Sequence, residues 1–117
     1  MLIVEPPDTA LSVGSGDVPV LATPRVVALC EEAAVKAIKE FLEPAQTTVG
    51  TRIVIDHLAP TTVGRRVRAH ATLEHTDGKT LSFVVEASDG AGVIARGTHT
   101  RVVVDRERFV RGARDRA

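Results

Sequence analysis

Across residues 21 to 105 the apolar residues change their repeat once, from about 3.6 to 2, and that change constrains the fold more than any other feature. Residues 21 to 41, LATPRVVALCEEAAVKAIKEF, carry the helical repeat. Thr23 suits an N-cap and Pro24 the first helical position, where a missing N–H leaves nothing unpaired. Glu43-Pro44 closes the helix, because a residue before proline avoids the α region. A helix of about 18 residues is expected.

After Gly50 the side chains alternate. Thr51, Ile53, Ile55 and His57 share one strand face, with Arg52, Val54 and Asp56 on the other, until Pro60. Val67, Ala69, Ala71 and Leu73 then alternate with Arg66, Arg68, His70, Thr72 and Glu74, giving a strand with one wet face. The Asp77-Gly78 pair signals a hairpin, after which Leu81, Phe83, Val85 and Ala87 point inward. A turn at residues 89 to 92 leads into a final strand at 93 to 105. A short strand at residues 2 to 4 and a Pro- and Gly-broken loop at 6 to 19 precede the helix. The sum is an α+β chain, one long helix covering one face of a curved antiparallel sheet, which is the layout of a hot-dog fold. Residues 1–117 are expected to form a single domain, with an N-terminal strand and loop at 1–20 and a solvated basic tail at 106–117.

Composition narrows the function. Fifteen basic and fifteen acidic side chains cancel, so no global field recruits nucleic acid or an anionic membrane. The single cysteine, Cys30, excludes an internal disulfide framework and fits a reducing, cytoplasmic setting. The apolar start, MLIV, is too short for a signal peptide or membrane span. Four scattered histidines make no metal motif, and no cofactor is expected.

The helix holds one misfit. On a helical projection Val27, Ala34, Ile38 and Phe41 cluster, and Glu31 falls in the same sector. Glu32 has Lys36 at the i+4 position, whereas Glu31 has only Val27, Ala28, Ala34 and Val35 around it. An inward carboxylate must find a donor elsewhere or shift its pKa, which is also how working acids and bases are made. Two readings stay open: a structural one, in which Glu31 reaches an arginine across a subunit interface or sits at the edge of the stripe, and catalysis. Thr23 lies two turns earlier, as a cap or as a hydroxyl opening onto the same groove. His57 stands at a strand end, structural or catalytic, with Asp56 on the wrong face to orient it.

The segments ATP (22–24), LCEEA, LEP, VGTRIVIDH and RGTHTR resemble the fluoroacetyl-CoA thioesterase-like family of hot-dog enzymes over about residues 18 to 109. The resemblance implies an acyl-CoA thioester hydrolase with Thr23, Glu31 and His57 as its catalytic group and Gly50 and Arg101 as substrate contacts. The phenylalanines that close the acyl pocket in the fluoroacetyl-specific branch have no counterpart in residues 8 to 20. A short or small acyl group and a homodimer, its sites at the subunit interface, are expected. The competing enzymatic reading, an enoyl-thioester hydratase, lacks its Asp/His loop motif here. A non-catalytic acyl-CoA-binding or interaction module is the alternative from another class.

Overall fold

The computed structural model describes residues 1–116. Strand β1 is Leu2–Ile3; a 3-10 turn at Pro6–Asp8 and a short helix α1, Ala10–Val13, follow. The long helix α2 is Thr23–Ile38, with a 3-10 turn at Lys39–Phe41. Four long strands come next: β2 (Gln46–His57), β3 (Arg66–Asp77), β4 (Thr80–Asp89) and β5 (Gly92–Asp105), then helix α3 (Arg106–Asp115). The five strands form one antiparallel sheet in the order β1-β3-β4-β5-β2. Helix α2 lies against β3, β4 and β2, so the expected helix-on-sheet layout holds.

The core forms where two repeats meet. Val26, Leu29, Cys30, Ala34 and Ile38 of α2 are buried against Val67, Leu81, Phe83, Val85, Ala87, Ile94 and Ala95 of the sheet, with Val4 and Leu21 closing one end. The inward row of β4 is the one expected from its alternation. Each Val, Leu, Ile or Phe so enclosed contributes about 1.5–3 kcal/mol relative to exposure, and the sum fixes how α2 is rotated.

Several expectations change. Phe41 is 83% exposed instead of completing the apolar stripe. Ile38 leaves helical geometry at φ −119°, ψ 1°, and the tighter 3-10 turn swings Phe41 outward. The N-cap is Ala22, whose carbonyl accepts from the Arg25 and Val26 amides; Thr23 is the first helical residue and its side chain makes no cap bond. Residues 6 to 19 are not all loop, because Thr9 accepts from the Ser12 amide and starts α1, which Gly14 ends in the left-handed region. Leu73, expected inside, is 39% exposed beside a register shift between Leu73 and His75. The expected basic tail is helical through Asp115, begun by Asp105 accepting from the Arg108 amide; its last residue, Ala117, lies outside the described residues.

Strand β2 starts at Gln46, earlier than its alternation suggests, and shifts register between Gly50 and Arg52. Farther along, Ile55 of β2 pairs with Gly97 of β5 at such close range that a Cβ on Gly97 would overlap the Val54 carbonyl oxygen. Backbone cannot yield there as a flexible side chain would. Gly97→Ala is expected to destabilise by about 2 kcal/mol or more, read as a lower denaturant midpoint at unchanged slope.

Candidate functional site

Two groups of polar side chains flank helix α2. The first joins its N-terminus to the end of β2: Thr23 Oγ1 and His57 Nδ1 lie 2.7 Å apart. The Thr23 hydroxyl is free to do this because Ala22 serves as the cap. His57 Nε2 is buried with no hydrogen-bond partner among the described residues. The pair borders an open depression of about 340 Å³ lined mainly by Val18, Val20, Leu21, Leu58 and Ala59. The segment forming one wall is held by Arg25, whose Nε donates to Asp8 Oδ1 at 3.1 Å.

The second group is centred on Arg101 of β5, which is 6% exposed. Its Nε donates to Thr48 Oγ1 at 2.9 Å and its Nη2 to the Thr48 carbonyl at 3.0 Å. Nη1 donates to His99 Nε2 at 3.1 Å and faces Glu31 Oε2 at 3.5 Å. Glu31 therefore has a cation within its own chain, and its side chain is 41% exposed against 8% for Arg101. The buried stripe of α2 runs through Val26, Cys30, Ala34 and Ile38, which leaves Glu31 on its flank. Gly50 adjoins the same group: a Cβ there would stand 3.0 Å from Glu31 Oε2, 3.1 Å from His99 Cε1 and 3.2 Å from Arg101 Nη1.

Within one chain the five residues singled out from the sequence thus form two sets, Thr23 with His57 and Glu31 with Gly50 and Arg101. Eight residues of helix separate Thr23 from Glu31, roughly 12 Å. Seven residues of strand separate Gly50 from His57, roughly 23 Å. His99, 2% exposed, belongs to the second set and was not singled out by sequence. Its only signal there is its place two residues before Arg101, on the same strand face.

The family profile of the fluoroacetyl-CoA-specific thioesterases matches residues 4–107. The fluoroacetyl-CoA thioesterase of Streptantibioticus cattleyicolor is 41% identical over 90 residues, 77% of this chain and 65% of that protein. The chain belongs to the fluoroacetyl-CoA-specific thioesterase family. The matched stretch spans less than two thirds of that curated relative. A solved fluoroacetyl-CoA thioesterase superposes with a TM-score of 0.92 at 34% identity, covering 99% of this chain and 90% of the other. A Thermus thermophilus protein described as a thioesterase superfamily member gives 0.88 at 32% identity, covering 98% and 88%. A hot-dog-like protein from Thermanaerovibrio acidaminovorans gives 0.88 at 23% identity, covering 98% and 85%, a likeness of fold alone. The fold of this family member is the hot-dog fold. Among the described residues no helix is long and apolar enough to cross a membrane.

Cys30 reports on the second group. Burial first and the Glu31 charge second push its thiol up to about 11. At pH 7 roughly one thiol in ten thousand is then ionised, four units below the pKa. Cys30 is expected to resist iodoacetamide in the folded protein at pH 7 and react once unfolded. In Glu31→Gln, which removes the nearby negative charge, alkylation of the folded protein is expected to set in at lower pH.

Proposed function

We propose that this protein hydrolyses acyl-CoA thioesters to a free acid and CoA, with Thr23, Glu31 and His57 catalytic and Gly50 and Arg101 contacting substrate. The 2.7 Å contact between Thr23 Oγ1 and His57 Nδ1 beside an apolar depression carries this reading. The family supports it, and a mutant of the fluoroacetyl-CoA-specific thioesterase has been solved with fluoroacetate and CoA.

In the proposed reaction His57 Nδ1 takes a proton from Thr23 Oγ1, or from water held there, as oxygen bonds to the thioester carbon. Negative charge grows on the carbonyl oxygen near the N-terminus of α2, where the helix dipole favours it. The C–S bond breaks, the CoA thiolate leaves and takes up a proton, and water supplies the oxygen of the acid product. Glu31 either activates that water or attacks first. Gly50, without a side chain, keeps the space beside Glu31 and Arg101 open. The acyl group sits in the depression, and we assign short or small acyl groups as the preferred substrates.

The two sets act together when two chains associate. Among the described residues strand β2 pairs only with β5 and leaves its other edge free. Two such edges pairing antiparallel about a two-fold axis midway between residues 50 and 57 would bring Gly50 of one copy opposite His57 of the other. Thr23 and His57 of one chain then meet Glu31, Gly50 and Arg101 of its partner, and a dimer has two such sites. The buried, unpartnered His57 Nε2 fits a position completed by the second copy or by substrate. A cytoplasmic homodimer is the assembly we propose; a single reduced cysteine suits that compartment.

Free-CoA release from acetyl-, fluoroacetyl-, butyryl-, phenylacetyl- and long-chain acyl-CoA tests the activity. Turnover is expected, highest on small acyl groups, and Thr23→Ala and Glu31→Gln should each lower kcat roughly 100-fold or more. Full turnover by both variants would overturn the assignment, and saturable CoA binding without turnover would favour the binding module. Light scattering is expected to give twice the chain mass; a monomer would contradict the shared site.

A further inference from the structure

We propose that His99 is a positioning residue, which holds Arg101 and through it aims the Glu31 carboxylate. This rests on the role assigned to Glu31 above. A guanidinium carries only donors, so the 3.1 Å contact makes His99 Nε2 the acceptor for Arg101 Nη1. The ring proton then sits on Nδ1, which donates to the Arg52 carbonyl at 2.7 Å. Both ring nitrogens are engaged, and the Phe83 ring packs beside them with centroids 6.2 Å apart.

Arg101 is pinned on its other side by Thr48 through Nε and Nη2. Nη1 is the nitrogen that faces Glu31, and His99 Nε2 is its other partner. Arg101 contacts this ring, and Glu31 Oε2 and the ring's Cε1 both adjoin the space beside Gly50. Without an acceptor at Nε2 a buried N–H of Arg101 loses its partner, and Thr48 alone is left to hold the guanidinium against Glu31. His99 touches no reacting atom in the proposed reaction.

Two variants separate positioning from packing. His99→Phe keeps a ring but no acceptor, and His99→Gln places a carbonyl oxygen near the position of Nε2. With the best substrate, His99→Phe is expected to lower kcat about tenfold or more while KM changes less than about twofold, and His99→Gln to recover most of it. Added to Glu31→Gln, His99→Phe should cause little further loss, because both cut one chain of contacts. Unchanged kcat in folded His99→Phe, or full additivity with Glu31→Gln, would overturn the proposal. Ring 15N shifts decide it independently of turnover, including where no thioester is hydrolysed and the reading of Glu31 fails, or where His99→Phe does not fold. An unprotonated Nε2 and a protonated Nδ1, with the Nε2 resonance moving in Glu31→Gln, support it. A protonated Nε2, or a resonance indifferent to Glu31, refutes it.

Discussion

The rotation of α2 about its own axis is the constraint on which both polar groups depend. Cys30, Ala34 and Ile38 stand one turn apart and are buried against the sheet, so the helix cannot turn without exposing them. That setting points the Thr23 hydroxyl at His57 and leaves Glu31 on the flank, facing Arg101. A stripe centred nearer Val27 would carry Glu31 deeper, away from water, where an ionised carboxylate is much harder to keep. Half-exposure beside a buried cation is the compromise the packing imposes.

Arg101 is the second fixed point. A cation this enclosed is tolerable only when its donors are satisfied and a counter-charge is near, and Thr48, His99 and Glu31 supply these from three elements of the fold. The 3.5 Å gap to Glu31 is long for a hydrogen bond, so the attraction is chiefly between charges. Glu31 is thereby steadied yet keeps lone pairs for water. Gly50, just before the register shift of β2, has no side chain to fill the space beside Glu31 and Arg101.

Much of this was legible because burial on a sheet imposes a strict period of two. The inward row of β4, the Asp77-Gly78 hairpin and the pairing of His57 with the inner face all follow from alternation. Glu31 stood out because it broke the helical pattern. Thr23 was harder, since a threonine before proline suits a cap as well as the first turn, and only backbone geometry separates the two. Phe41 misled because a change from α to 3-10 winding rotates every later side chain, and nothing in KEF announces it. His99 gave only its place two residues before Arg101: a lone histidine between threonines reads the same whether exposed or clamped. Helix α3 was hidden by its charge, since a sequence this basic resembles a solvated tail.

The proposed sharing of one site between two copies rests on the separation of Thr23 and His57 from Glu31, Gly50 and Arg101 along α2 and β2. Mixed dimers test it most directly. Thr23→Ala and Glu31→Gln chains, refolded together in equal amounts, should recover about a quarter of wild-type turnover, because half the dimers are mixed and each then holds one intact site. Activity no higher than the mean of the two separate variants would contradict the shared site.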